Sequence, residues 1–200
     1  MLRKTALCAL AALATIATAT PAAAPPLTAI ERQRLLAHLE MTERWLSDEV
    51  SRLSPAQLDF HPAPTAWSVR DVLDHLIVVG TIYWDDLQTA MKSGVTDRKS
   101  MSTDADILWY GIDRTNRETA IPPERPKGLA RDVADALKRF HSDHARLANF
   151  IRTTGEDLRS RIVERQQCDA YQWALLITTH EQRHILQIRE IKAHPGFPRQ

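Results

Sequence analysis

Two histidines lie four residues apart in one apolar stripe near the end of the chain. The stripe consists of Trp173, Ile177, His180, His184, Ile188 and Ile191. Residues at positions i and i+4 of a helix share one face, so both imidazoles can bind a single divalent metal ion. Buried imidazoles with neither a metal nor a hydrogen-bond partner lose hydration, at a cost on the order of several kcal/mol. The pair is therefore either a metal-binding pair or a pair of hydrogen-bonded core histidines.

A third ligand is expected from a facing helix, and two histidines are candidates. His75 lies between Val72, Leu76 and Val79 on an apolar face and points inward with them. His144 replaces an apolar residue in another stripe, and spacing alone favours His75 over it only slightly. The remaining four histidines suit the site less well, because they lie beside an apolar face, on an outward face or in loop and terminal segments: His38, His141, His61 and His194.

The same helix contains the pattern H-E-x-x-H, in which Glu181 would act as the general base of a zinc protease. Metzincins place a glycine and a further histidine after this pattern, but Gln187 and Glu190 occupy those positions. A downstream glutamate ligand is also missing, because Glu190 lies on the same helix. In a bundle, Glu181 is rotated about 100° from His180, so we expect it to face the helix flank. The protease is therefore the weaker interpretation.

Four long helices are predicted to position these side chains. Helix capping residues and apolar periodicity define them. They run from Thr28 to about Leu53, from Ser68 to Lys92, from about Leu129 to Thr154 and from about Asp169 to Ala193. Residues 94–127 form a polar, proline-containing connection with one short helix around residues 104–110. Because every apolar stripe must be buried, the pattern predicts an all-α four-helix bundle with a long crossover between the second and third long helices.

The first 24 residues have the pattern of a signal peptide. Arg3 and Lys4 precede an apolar run over residues 6–19, and three alanines follow at 22–24. The run is shorter than the roughly 20 residues that span a bilayer. We therefore predict a leader over residues 1–24, one mature domain over residues 25–200, and a periplasmic or secreted protein. A retained anchor is the alternative.

Charge and cysteine content limit the classes of partner. The chain has 26 basic and 25 acidic residues, and loss of the leader changes its net charge from +1 to −1. No basic tract is present, so we predict no nucleic-acid partner and no membrane-surface binding after cleavage. Cys168 is the single cysteine of the predicted mature chain. We expect a buried, inert thiol, and pairing of Cys168 in a homodimer is the alternative.

Three blocks of sequence resemble the DinB-like family. Residues 64–76 contain a Trp-Ser pair followed by a His-Leu pair, residues 113–129 form a proline-rich lead-in to a helix, and residues 180–188 are similar to an H-x-x-x-H-x-x-Q-I ending. The three blocks occur in order at suitable spacing. The resemblance extends over residues 27–192, nearly all of the predicted mature chain.

The resemblance implies a four-helix bundle that holds a divalent ion, such as zinc, nickel, iron or manganese, on His75, His180 and His184. Relatives include thiol-dependent transferases and isomerases, whose thiol partners are cytoplasmic. Predicted export instead favours a metal-dependent hydrolase or transferase that acts on a small molecule. A non-catalytic metal-binding or partner-binding bundle is the alternative. Four acidic residues are near enough in sequence to serve as a base or to orient a ligand: Asp74, Asp85, Asp86 and Glu181. Since Glu181 is not a fixed member of the family pattern, we expect it on the helix surface.

Overall fold

The computed structural model describes residues 26–199, so the predicted leader lies outside the described residues. Six α-helices, one 3₁₀ turn and one short hairpin occur within this range. The elements are α1 (Ala29–Val50), α2 (Pro55–Leu58), α3 (Val69–Lys92), α4 (Asp104–Ile112), a 3₁₀ turn (Pro122–Glu124), α5 (Val133–Thr153), β1 (Ile162–Val163), β2 (Cys168–Asp169) and α6 (Ala170–Lys192). In this part of the chain, no helix combines the length and apolarity needed to cross a membrane.

Capping boxes set where the long helices begin. The amide of Glu31 donates to the Thr28 hydroxyl at 3.2 Å, and the Glu31 carboxylate accepts from the Thr28 amide at 3.0 Å. The same reciprocal pair forms at the start of α3, between Ser68 and Asp71. Each box satisfies backbone donors that a helix start leaves without partners. The two starts predicted from the sequence are therefore confirmed.

Helices α1, α3, α5 and α6 form the predicted four-helix bundle. Helix α1 packs against α5 and α6, and α3 packs against the same two helices. Consequently α1 and α3 occupy opposite corners, although they are consecutive long helices in the chain. The crossover between α3 and α5 contains α4, which packs along α6.

Helix α5 begins at Val133, whereas the sequence suggested a start near Leu129. The carboxylate of Asp74 on α3 accepts hydrogen bonds from the four backbone amides of residues 127–130. These bonds hold the segment in a non-helical turn, in which Gly128 has a φ of +75°. Glycine adopts this left-handed conformation without the steric cost that a side chain imposes.

A two-residue antiparallel pairing precedes α6 and was not predicted from the sequence. Ile162 pairs with Asp169, and Val163 pairs with Cys168. Two residues per strand are too few to produce a detectable alternation of apolar and polar side chains. Cys168 is free and buried, and burial together with the charge of Asp169 raises the pKa of its thiol to about 12. The thiol is therefore protonated and unreactive at neutral pH.

Close packing of α4 on α6 depends on Gly111, so we expect Gly111→Ala to destabilise the protein by about 1–3 kcal/mol. A Cβ atom at this position would lie 2.8 Å from the Cβ of Thr179 and 3.1 Å from its carbonyl oxygen. Helix α4 would have to move away from α6. The packing stability lost by this movement should exceed the gain of about 1 kcal/mol that replacing glycine with alanine brings inside a helix. Urea denaturation measures the change in the free energy of unfolding.

Gly155→Ala is the matched control for this prediction. A Cβ atom added there meets open space, because no heavy atom beyond its two chain neighbours lies within 4 Å. The free energy of unfolding should then change by less than about 0.5 kcal/mol. If both alanine variants are as stable as the wild type, the contact between α4 and α6 is looser than the structure indicates.

Candidate metal centre

The structure brings together three histidines, His75 from α3 and His180 and His184 from α6. The Nε2 atom of His180 lies 3.2 Å from that of His184 and 3.5 Å from that of His75. One ring nitrogen from each residue lies within 4.8 Å of the other two. Two nitrogen ligands in a tetrahedral zinc site, each about 2.0–2.1 Å from the ion, are about 3.3 Å apart. The observed spacing therefore fits a shared metal ion.

Hydrogen bonds outside the cluster determine which nitrogen of two imidazoles faces inward as an acceptor. The Nδ1 atom of His75 lies 2.6 Å from the carbonyl oxygen of Glu124, and Nδ1 of His184 lies 2.8 Å from the amide oxygen of Gln187. Because these oxygens only accept, each Nδ1 carries the proton and each Nε2 keeps its lone pair. Metal-ligating histidines are commonly oriented by such outer hydrogen bonds.

The inward lone pairs of the three imidazoles face one another, and a bound cation would remove their repulsion. The Nε2 atoms of His75 and His184 both face Nε2 of His180, and a single proton on His180 can serve only one of them. An imidazole nitrogen left without a donor in a buried position is unfavourable. Nδ1 of His180 is itself buried without a partner among residues 26–199. A divalent ion at the shared point would satisfy all three Nε2 atoms at once.

The three imidazoles are neutral at pH 7. Burial lowers the pKa of each, and it lowers the pKa of His184 to about 3 and that of His180 well below its usual value. Repulsion from a positive charge on His184 or His75 lowers the pKa of His180 further. Metal binding needs the unprotonated ring. Protons therefore do not compete with a metal ion for these nitrogens near neutral pH.

Aromatic rings surround the cluster. Trp67 stacks on His184 with ring centroids 6.2 Å apart, and Tyr110 of α4 stacks on His180 at 6.4 Å. Tyr83 of α3 approaches His180 at 5.2 Å. The sequence interpretation assigned no role at the site to either tyrosine. Tyr83 is buried on the same helix as His75. The sequence contained no signal for the side of the bundle on which the crossover places Tyr110.

The acidic residues considered from the sequence have other positions or partners. The carboxylate of Asp74 accepts from the turn before α5, Asp86 pairs with Arg165, and Asp85 is exposed. In the described structure, none of these three carboxylates hydrogen-bonds to a histidine of the cluster. Asp74 still affects the site. It holds residues 127–130 in place, and these residues follow Glu124, whose carbonyl oxygen accepts from His75. This role was not predicted.

Glu181 faces α5, away from the centre of the cluster. Its Oε2 atom lies 2.8 Å from Nε2 of His144, and the two residues are 7% and 3% exposed. The expectation that Glu181 lies on the helix surface is therefore wrong, while its position on the helix flank agrees with the bundle geometry. Since this carboxylate is bonded to His144, the arrangement of a zinc protease base is not formed.

The other histidines are separated from the cluster. His144 lies in the core with Glu181, and His38 contacts the side-chain amide of Gln182 at 3.2 Å. His141 is exposed and pairs with Glu43 at 2.6 Å. The last two, His61 and His194, are exposed. Among the described residues, the one group of three or more potential metal ligands is thus the cluster on α3 and α6.

Comparison with known proteins identifies similar sequences and a similar fold. The family model of the DinB superfamily matches residues 38–188. The uncharacterised protein YuaE of Bacillus subtilis (strain 168) is 27% identical over 153 residues, which cover 75% of this chain and 91% of that protein.

A solved structure, YfiT from Bacillus subtilis, has a similar fold with a TM-score of 0.55 at 17% sequence identity. The similarity covers 86% of this chain and 91% of that chain. YfiT is described as a probable metal-dependent hydrolase with an unusual four-helix bundle topology. At this level of identity the likeness shows the fold alone.

Proposed function

The chain belongs to the DinB superfamily, and on that premise we propose that it is a metal-dependent hydrolase of small molecules. Its ligands are His75, His180 and His184, which hold one divalent ion. The observation that carries the proposal is the convergence of three neutral imidazole nitrogens, two of them fixed as acceptors by outer hydrogen bonds. The description of YfiT as a probable metal-dependent hydrolase supports the reaction class. Imidazole ligands suit zinc, nickel and iron, whereas manganese more commonly binds oxygen ligands.

A divalent ion held by three protein ligands keeps an open coordination position and lowers the pKa of water there, so that hydrolysis can proceed at neutral pH. The chain itself supplies orientation and exclusion of solvent. Glu124 and Gln187 hold two of the rings, and Trp67 and Tyr110 cover the ring faces. Group transfer at the same centre is the alternative reaction.

A screen of small esters, amides and phosphoesters tests the reaction. The mature protein is assayed with each metal, with a chelator and after metal is restored. We expect turnover that the chelator removes and the metal restores. Turnover should be absent in His184→Ala and retained in the control His141→Ala, which changes an exposed histidine outside the cluster. Full metal occupancy without turnover of any substrate would favour the non-catalytic alternative. Digestion of a protein substrate that is lost in Glu181→Gln would instead revive the protease.

We also propose that the protein is exported and loses its leader, and the intact mass of protein from the native host tests this. The proposal rests on Arg3, Lys4 and the apolar run over residues 6–19, all outside the described residues. The expected mass lacks an N-terminal segment that ends between residues 19 and 24. A full-length cytoplasmic species would contradict export and would favour thiol-dependent transfer.

A further inference from the structure

Two phenol groups adjoin the histidine cluster, and we propose that Tyr83 and Tyr110 form an oxyanion-binding site beside it. The ligand class is a phosphate, a carboxylate, or a carbonyl oxygen that becomes negative during hydrolysis. The two hydroxyls donate hydrogen bonds to this oxygen. The inference rests on the proposed function, because it assigns the part of the substrate that lies next to the metal centre.

The two tyrosines reach the same imidazole from different helices. Tyr83 lies two turns after His75 on α3, and helical side chains slant towards the helix N-terminus, which directs this phenol back towards His75. Its ring centroid is 5.2 Å from that of His180. Tyr110 reaches His180 from α4 with nearly parallel rings, inclined by 13°. Both phenols are thus close to the same ligand-bearing ring.

Both hydroxyls are free to donate. Within residues 26–199, neither phenol oxygen has a hydrogen-bond partner, and neither is among the polar atoms that are buried without one. Solvent or a ligand therefore reaches both oxygens, although Tyr83 is only 7% exposed. The backbone around Tyr83 is fixed, since Trp173 donates its indole N–H to the Tyr83 carbonyl at 2.8 Å. Two unpaired donors held on rigid helices suit recognition of an acceptor.

Guanidinium and carboxylate groups both lie near the phenols. The guanidinium of Arg183 lies 4.9 Å from the centre of the Tyr110 ring, and that of Arg165 lies 6.0 Å from the centre of the Tyr83 ring. Arg165 is balanced by carboxylates, but Arg183 is buried and donates to the backbone carbonyls of Tyr110 and Asn116. No carboxylate of the described chain forms an ion pair with Arg183. Its charge is therefore available to stabilise an anion.

Inorganic phosphate is the probe for this site, and calorimetric titration into the zinc-loaded protein measures its affinity. Loss of a hydrogen bond to a charged acceptor should weaken binding about 10- to 100-fold in Tyr83→Phe and in Tyr110→Phe. The double variant should bind more weakly than either single variant. Zinc content and the thermal midpoint should not change. Tyr171→Phe, which alters the third tyrosine of the chain, is the matched control and should bind phosphate like the wild type.

Two results would overturn the inference while leaving the metal centre intact. One is equal phosphate affinity in the wild type and the double variant, at full zinc content. The other is no phosphate binding by the zinc-loaded wild type. A wild type that takes up none of zinc, nickel, iron and manganese contradicts the proposed function instead, and phosphate titration of the metal-free protein then tests the two phenols by themselves.

Discussion

Replacing His184 with alanine is expected to reduce bound metal from about one ion per chain to background. The substitution removes one of three converging Nε2 atoms, and the two that remain come from different helices. Two neutral imidazoles without a third protein ligand hold a divalent ion weakly. Metal analysis after exhaustive dialysis, with zinc supplied in excess beforehand, measures the loss. His180→Ala and His75→Ala should behave in the same way.

His144→Gln is the matched comparison, because this histidine is about as buried as His75 and His180 but lies outside the cluster and bonds to Glu181. Its metal content should equal that of the wild type. If His144→Gln loses as much metal as His184→Ala, the choice of ligands is wrong. Thermal denaturation of each variant shows whether a loss of metal merely reflects unfolding.

Removing the carboxylate in Glu181→Ala is expected to destabilise the protein by about 3–5 kcal/mol while metal binding is retained. The substitution leaves His144 buried and without the acceptor that lies 2.8 Å away in the wild type. Chemical denaturation measures the change in the free energy of unfolding. Glu43→Ala is the control, because this partly exposed carboxylate lies 3.7 Å from His144 and should contribute less than about 1 kcal/mol.

The double variant with leucine at positions 144 and 181 tests the physical reason for this loss. Replacing a buried polar pair with apolar side chains of similar size is often close to neutral, so most of the lost stability should return. If the double variant is as unstable as Glu181→Ala, the effect comes from packing rather than from an unpaired buried group.

The effect of Glu181 should depend on pH. Burial tends to lower the pKa of His144, but attraction to Glu181 and Glu43 outweighs it, and the pKa lies above the ordinary value of 6.5. A histidine whose pKa rises on folding contributes stability that is complete below pH 6.5 and is lost as pH rises through the folded pKa. The stability difference between the wild type and Glu181→Ala should therefore decrease at alkaline pH. A difference that does not change with pH would show that His144 is neutral in the folded protein.

The sequence contained enough local information to predict the helices and the pair on α6. Capping boxes at Thr28 and Ser68 involve residues three apart, and the spacing of His180 and His184 fixes their relative direction once a helix forms. Spacing could not decide between His75 and His144 as the third member of the cluster. Both are buried. His75 lies on α3, which packs against α6, whereas His144 lies on α5 and bonds to Glu181 of α6. The choice between them depends on how the helices are arranged in the bundle.

Long-range contacts explain what the sequence did not reveal. The position of α1 and α3 at opposite corners depends on how four apolar stripes fit together, and several arrangements bury similar area. The start of α5 depends on Asp74, which is more than fifty residues away in sequence. The buried position of Glu181 likewise depends on its contact with α5. None of these contacts leaves a periodic signal in the sequence.

A crystal structure of the zinc-loaded mature protein, with anomalous diffraction data at the zinc edge, shows whether the three histidines hold one metal ion. The predicted result is one anomalous peak for each chain, about 2.0–2.1 Å from Nε2 of His75, His180 and His184. No peak at the cluster, or a peak bound by His144 or Glu181 instead, would contradict the account.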